Sequence, residues 1–472
     1  MVIIYGGFLV TTAAAAAVAA ILIFSISIAS FHRMKIAGEA EGACISYNHT
    51  ENTILMSCSH ASFRDLLYSI NNSTIIAKLG DGEYLLNANL RVNNSASFAM
   101  TSNVDGLQYL RIAGVNGIIV NGKIQINGVK ITSWDPSTNS VVPQNIQGSI
   151  KRAYIQFGAS DGAQITNSEF AYLGYNELGR RGFDLFGDGG VSHDMEITGS
   201  KFHHMWRAFY STGAYNITID RNEFHHNINY GVDPHSGTHN INITNNSIHH
   251  DPIGIICSVD CYDILIAGNK IYDTNKAGIF FSRGMQHSIA RSNFVYNTSS
   301  GIILSESPDN LVYNNTIKGA RSEGVLLYNP AIPDEGLTQN NQVYNNTISL
   351  SNNGVNSSRS HNNILTDNKF TNITSSEYHL TRSSNIRIIA QHFDNASITA
   401  GNSSSTGNIV EIVNSGTIQV TEVQAGQQIN NNNNNNSNGT YQHLNERKYF
   451  YNTENTPYRK VMADGVGIIV NS

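Results

Sequence analysis

From about residue 160 the chain alternates short apolar runs with turns rich in Asn and Gly. An aliphatic residue, four mostly polar residues and a second apolar residue recur together. They appear as Ile165…Phe170, Ile197…Phe202, Ile219…Phe224, Ile243…Ile248, Ile266…Ile271, Ile289…Phe294, Val312…Ile317, Val343…Ile348, Leu365…Phe370 and Ile388…Phe393. The first members lie 32, 22, 24, 23, 23, 23, 31, 22 and 23 residues apart. A fixed period of this size marks stacked supersecondary units. Two short strands per unit make a coil that cannot bury its apolar face alone, so the stack itself is the core. The two long intervals are insertions into single coils. The Leu-x-x-Leu-x-Leu signature of leucine-rich repeats is missing, and a propeller blade is nearly twice as long. The predicted fold is all-β, a right-handed parallel β-helix (a solenoid), its hand following from the rule for parallel crossovers.

The ends of the chain break this pattern. Val2 to Ala29 carries no charge and is mostly Ala, Ile, Val and Leu, longer than the roughly 20 residues that span a bilayer. Residues 1–35 are therefore expected to be an N-terminal transmembrane helix acting as a membrane anchor, with cleavage near Ala29 as the alternative. Residues 36–61 read as a linker. The β-helix is assigned to 62–425 and opens with an amphipathic capping helix at Ser62–Ile70, because an open parallel edge invites pairing with other chains. Asn430 to Asn436 lies in an Asn-rich linker, 426–440, and 441–472 is a tail that the pattern leaves unread.

Composition agrees with a β fold: 14% charged residues, 40 Gly and 8 Pro, with Ile, Val, Asn and Ser filling strands and turns. A net charge of −6 gives no general attraction to nucleic acid, so a polyanion would need a locally basic site. Arg33 and Lys35 favour an inside location under the positive-inside bias. Asn-x-Ser/Thr sequons at Asn48, Asn72, Asn216, Asn242, Asn297, Asn314, Asn345, Asn372 and Asn395 favour the outside if they are used. The reading preferred here is a membrane-anchored protein on the extracytoplasmic side. Cys44 with Cys58, and less strongly Cys257 with Cys261, are candidate disulfides.

A second motif sets the coils in register: Gly254-Ile-Ile-Cys, Gly278-Ile-Phe-Phe-Ser-Arg, Gly301-Ile-Ile-Leu-Ser-Glu and Gly324-Val-Leu-Leu-Tyr, with Ala208-Phe-Tyr-Ser-Thr and Gly231-Val-Asp-Pro-His in the same slot earlier. Aligned on this position, the preceding column reads Arg207, Tyr230, Ile253, Ala277. Two residues on it reads Tyr210, Asp233, Ile256, Phe280, and four on it reads Thr212, His235, Ser258, Ser282. Asp233 and His235 share a strand face, with Tyr230 and Arg207 in reach and Lys276 and Arg283 about two rungs away. Pro234 removes a ladder hydrogen bond in mid-repeat, and a local rule broken inside a regular array is the mark of a functional site. The alternative is a solvated turn. His203-His204, His225-His226 and His249-His250 also stack; they read as a polar ladder, a substrate-lining edge at His226, or a metal-binding column. No metal is assigned to them here.

Tyr230-Gly231-Val232-Asp233-Pro234-His235 resembles the Tyr-Gly-x-Asp-Pro-His motif of the mannuronan C-5 epimerases, and Gly80-Asp-Gly-Glu-Tyr-Leu85 resembles their first coil. The likeness covers roughly residues 60 to 400. The coil pattern alone is shared with many carbohydrate-active and nitrous-oxide-accessory β-helix proteins. The resemblance implies Tyr230, Asp233 and His235 as catalytic residues. Gly278–Arg283 resembles the family segment carrying a carboxylate-neutralising Arg, although it falls one coil further on here. Arg207 stands where the secreted branch has Lys. Arg207, Arg283, Lys276, Tyr210 and His226 are then expected to bind an anionic polysaccharide. No cofactor is required; Ca²⁺ stays open as an option that the sequence does not indicate, since no Gly-Gly-x-Gly-x-Asp repeats follow the helix. A polysaccharide lyase and a non-catalytic glycan-binding or envelope β-helix are the alternatives.

Overall fold

Each coil is too small to fold alone, and in the computed structural model the coils close on one another as a parallel β-helix with three long sheets. The structure describes residues 43–390 except 145–146, 187–189 and 332–335. Beyond 390 it describes the strands Ala396–Gly401, Asn408–Ile412, Thr417–Gln424, Asn445–Asn452, Arg459–Ala463 and Val466–Val470. The expected anchor at 1–35 and linker at 426–440 lie outside these residues. Among the described residues no helix is long and apolar enough to cross a membrane.

The repeat columns stack in register. One sheet aligns Ile165, Ile197, Ile219, Ile243 and Ile266, then Ala290, Val312, Val343, Leu365 and Ile388. Another aligns Phe170, Phe202, Phe224, Ile248, Ile271, Val295, Ile317, Ile348 and Phe370. Phe170, Phe202 and Phe224 stack with centroids 5.0 Å apart at each step.

One coil differs from the expectation: Ala290 and Val295 point inward, while Phe294, expected inside, is 40% exposed. The cause is an asparagine ladder. Asn222, Asn246, Asn269, Asn293, Asn315, Asn346 and Asn368 each stand two residues before the second inward residue. From Asn246 onward each side-chain oxygen accepts from the backbone N–H and Nδ2 of the Asn one coil back, as Asn269 does from Asn246 at 2.9 and 3.0 Å, while Asn222 accepts from the Ser200 N–H. Nδ2 of Asn246 also donates to the Ile219 carbonyl. Buried amides must be paired, so the ladder fixes the phase at Asn293 and the bulkier Phe294 is turned out.

The helix Phe63–Ile70 caps the stack. Ser62 accepts from the Asp65 N–H while the Asp65 carboxylate accepts from the Ser62 N–H, the reciprocal box that ends a helix cheaply. Phe63 and Leu66 are its buried face. The expected linker at 36–61 is corrected from Ile45 onward. Ile45–Asn48 and Thr53–Met56 form an antiparallel pair, and the latter joins Asn89–Val92 in parallel. Ile54 and Met56 alternate into the core at zero exposure, which is strand chemistry and not linker chemistry. In the tail, Asn445–Asn452 pairs antiparallel with Thr417–Gln424, and Val466–Val470 runs parallel to Asn408–Ile412. Cys44 and Cys58 are disulfide-bonded, whereas Cys257 and Cys261 are buried free thiols.

Candidate active site

The third sheet carries the Gly-slot strands. Gly182–Leu185, Arg207–Thr212, Tyr230–His235, Ile253–Ser258, Ala277–Ser282 and Ser300–Ser305 follow one another. Tyr210 pairs with Asp233, Thr212 with His235, and His235 with Ser258, as the column count requires. Val232 is a fully buried core residue, so alternation turns Asp233 and His235 to the outer face. Gly231 is obligatory for packing: a Cβ there would come within 2.7 Å of the Gly254 carbonyl and 2.8 Å of Asp251 Oδ2. Pairing with the next strand skips Asp233 and Pro234, as the missing proline N–H predicts.

Asp233 is the centre. Its Oδ2 accepts from Arg207 Nη1 at 2.7 Å, and the carboxylate is 1% exposed against 20% for the arginine side chain. Burial pushes this carboxyl up to about 7, against the lowering pull of Arg207, Arg181 and Arg283. Asp184, one strand further back, is likewise raised by burial to about 6 and accepts from the Arg181 N–H at 3.1 Å. Arg181 lies 4.2 Å over the Tyr210 ring, and Arg207 lies 4.8 Å from the Tyr210 ring and 5.0 Å from the Tyr230 ring. Tyr210 in turn packs against His235, centroids 5.4 Å apart. Aromatic faces of this kind hold cations by the ring quadrupole.

His235 is half-buried, with Nδ1 at 2.6 Å from Ser236 Oγ. Desolvation first, then Arg207, Arg283 and Arg181, bring its pKa down to about 4, so the imidazole is neutral at ordinary pH and able to take a proton. Arg283 reaches back one rung to donate to Ser258 Oγ at 2.6 Å, the residue paired with His235. Its field is felt at both Asp233 and His235, so the coil offset leaves it inside the cluster. Arg207 Nε, Arg181 Nη1, Asp184 Oδ1 and Asp233 Oδ1 are buried without hydrogen-bond partners among the described residues. Polar atoms left unsatisfied together are a stability cost concentrated at one place.

On the far side of the cluster the same sheet turns apolar. Ile253, Ile256 and Ala277 bury one another, with Tyr230, Phe280 and Ile303 packed against them. Of the expected site residues, Tyr230, Asp233, His235, Arg207, Arg283 and Tyr210 come together. Lys276 is exposed in the bend just before the strand Ala277–Ser282, and no described side-chain bond ties it to the others. His226 belongs to the histidine ladder at the preceding corner, where it stacks between His204 and His250. Arg181 and Asp184 were not anticipated. The signal was present: Arg181-Gly182-Phe-Asp184 repeats the spacing of Tyr230-Gly231-Val-Asp233, hidden by the long insertion and a register shift between Gly182 and Asp184.

Comparison with known proteins adds a second line. The family described as "Right handed beta helix region" matches residues 182–331, and the family "Periplasmic copper-binding protein (NosD)" matches 283–409. A mannuronan C5-epimerase of Pseudomonas putida is 26% identical over 240 residues, 48% of this chain and 46% of that protein. One from Pseudomonas syringae pv. tomato is 24% identical over 275 residues, 56% of this chain and 51% of that protein. The chain is similar in sequence to mannuronan C5-epimerases over about half of its length. It spans about half the length of the curated relatives it matches. The crystal structure of the periplasmic alginate epimerase AlgG superposes with a TM-score of 0.53 at 19% identity, covering 76% of this chain and 80% of that one. That likeness shows the shared right-handed solenoid.

Proposed function

We propose that this protein epimerises C-5 of uronic-acid residues in a mannuronan-like polysaccharide, on the extracytoplasmic side of a membrane. The observation that carries the reading is the trio Arg181, Arg207 and Arg283 around a neutral His235, on a protein of overall negative charge.

The C-5 hydrogen of a uronic acid is acidic only because it lies α to a carboxylate. Abstraction loads a second negative charge onto that group, so the developing charge must meet fixed cations. Three arginines face two carboxyls that burial holds towards their protonated forms, leaving a positive surplus for the substrate. Arg207 is already engaged by Asp233, which makes Asp233 the residue that fixes the guanidinium and not one that orients His235. His235 takes the proton on one face. Tyr230, held under Arg207, returns one on the other. The opposite allocation uses the same two groups. Each positioned acid or base contributes on the order of 10²–10⁴-fold.

Support for the compartment comes from the Cys44 and Cys58 disulfide, a bond of oxidising spaces, and from the family likeness to periplasmic proteins. Residues 1–35 would then be the anchor. The test is incubation of the protein with polymannuronate in deuterated water. New guluronate signals and deuterium at C-5 are expected in the NMR spectrum. Absorbance near 235 nm without guluronate would mean a lyase instead, since that reaction shares the first step and then expels the 4-linked sugar. Neither signal on any polyuronate, with polymer still bound, would leave a glycan-binding protein.

A further inference from the structure

The histidine ladder is outside the cluster just described, and its side chains are arranged as ligands. Three successive coils each bring two adjacent histidines to the corner before the site sheet: His203 with His204, His225 with His226, and His249 with His250. Within each pair the two Nδ1 atoms face one another, at 2.8, 2.9 and 2.8 Å. Between coils the rings stack, His203 on His225 on His249 and His204 on His226 on His250, at 4.7–5.3 Å.

The turn alone does not demand this. His204, His226 and His250 occupy a left-handed position (φ +55° to +58°), which the next two coils fill with Asp273 and Asn297. Asn and Asp are the ordinary residues there. The paired His203, His225 and His249 lie on strands, where nothing in the backbone asks for imidazole.

We propose that His226, His249 and His250 bind one divalent first-row transition-metal ion of the copper, nickel or zinc class. One nitrogen from each of the three lies within 4.8 Å of the others. Two donors about 2.0–2.1 Å from one ion stand about 2.9–3.4 Å apart for right-angled to tetrahedral geometry. The His249–His250 pair is already close to that spacing, and a modest swing of the exposed His226 ring closes the rest.

The far nitrogens carry the second argument. His249 Nε2 lies 3.3 Å from Glu223 Oε1, and His250 Nε2 lies 3.8 Å from Asp273 Oδ2. A carboxylate on the far ring nitrogen holds the proton there and presents the near lone pair to a metal. The ion takes the place of the direct contact between the facing Nδ1 atoms of His249 and His250. Imidazole-only donors at an exposed corner favour these ions over calcium or magnesium, and leave coordination positions open to water or to a carboxylate from outside. The site stands independently of the epimerase reading.

The experiment is calorimetric titration of the full chain with Cu²⁺ alone, with Mg²⁺ as the contrasting probe, followed by electron paramagnetic resonance of the loaded protein. One Cu²⁺ per chain with nitrogen hyperfine coupling, and no Mg²⁺ heat, is expected. His249→Ala and His250→Ala should each weaken binding at least tenfold. Glu223→Gln should weaken it by about tenfold, the lower end for loss of a group orienting a ligand. His226→Ala removes the exposed donor while leaving the facing pair in place, and serves if the other variants fail to fold. Binding that is unchanged in His226→Ala and His249→Ala, or a Cu²⁺ spectrum without nitrogen coupling, overturns the proposal.

Discussion

Replacing Asp233 by Asn should make the protein more stable above pH 7. Asp233 is 1% exposed, and its carboxyl is raised from the ordinary 3.8 to about 7 because burial outweighs three arginines. Below pH 3.8 the group is protonated whether the chain is folded or not, and it costs nothing. Between pH 4 and 7 the folded state holds a proton that the unfolded chain has lost, so stability falls as pH rises. Above 7 the penalty is complete. The gap of about 3 pH units corresponds to about 4 kcal/mol at 1.36 kcal/mol per unit.

The amide of Asp233→Asn mimics the protonated acid at every pH and can still accept from Arg207. The variant should therefore match the wild type at pH 4 and exceed it progressively, by up to about 4 kcal/mol at pH 8. Urea unfolding of both proteins at unit steps from pH 4 to 8 measures this. Asp251, which burial raises to about 8, tilts both curves alike and cancels in the difference, whereas Asp184, raised to about 6 and coupled to Asp233, is repelled less in the variant. A difference that shrinks with rising pH would mean that Arg207 dominates and holds Asp233 ionised, and the reasoning about burial would be wrong.

Three further outcomes are expected. His235→Gln should slow C-5 deuterium exchange by 10²–10⁴-fold, and the acid limb of the wild-type pH profile should lie near pH 4, where His235 titrates, and not near 6.5; a limb at 6.5 assigns the base elsewhere. Arg283→Ala should raise the KM for polymer and flatten its salt dependence, since it removes one exposed-side cation; an unchanged salt dependence refutes its part in binding. Asn269→Ala should unfold at least about 3 kcal/mol more easily, because four ladder bonds around Asn269 are lost and each stranded buried group costs about 1–3 kcal/mol; a drop under 1 kcal/mol would show that the ladder does not set the register.

The period was legible because coils cannot differ much and still stack. Ile165, Phe170 and their successors must fill one cylinder, and that constraint is written in spacing. The site columns were legible for the same reason, since Tyr210, Asp233 and Ile256 are neighbours by count. What escaped were features not written in apolar spacing. Ile289 looked like a core residue, yet Asn293 fixes the phase through bonds that carry no hydropathy signal. Arg181 and Asp184 sit behind an insertion, where counting by period fails and only alignment on Gly182 succeeds. Thr53–Met56 is a four-residue strand, too short for its alternation to stand out from linker.

The conversion of one rung of a regular solenoid into a reactive site takes few changes, and all act through the same column logic. Inward positions stay apolar at Val232, so the coil still stacks. Outward positions, which elsewhere on this sheet are Ile256 and Phe280, become Asp233, while the corner position becomes Arg207 and then Tyr230. Because neighbouring strands repeat at the ladder spacing, ionic groups placed on three consecutive rungs are driven within a few ångströms of one another without any loop to hold them. The rigid stack supplies the preorganisation that charge stabilisation needs. Its cost is visible in the unpartnered Arg207 Nε and Asp233 Oδ1 and in an aspartate that the fold would sooner keep protonated. A site built this way should tolerate change in distant coils and fail on a one-residue slip of Tyr230–His235, since that slip would turn Asp233 and His235 into the core and Val232 and Pro234 out.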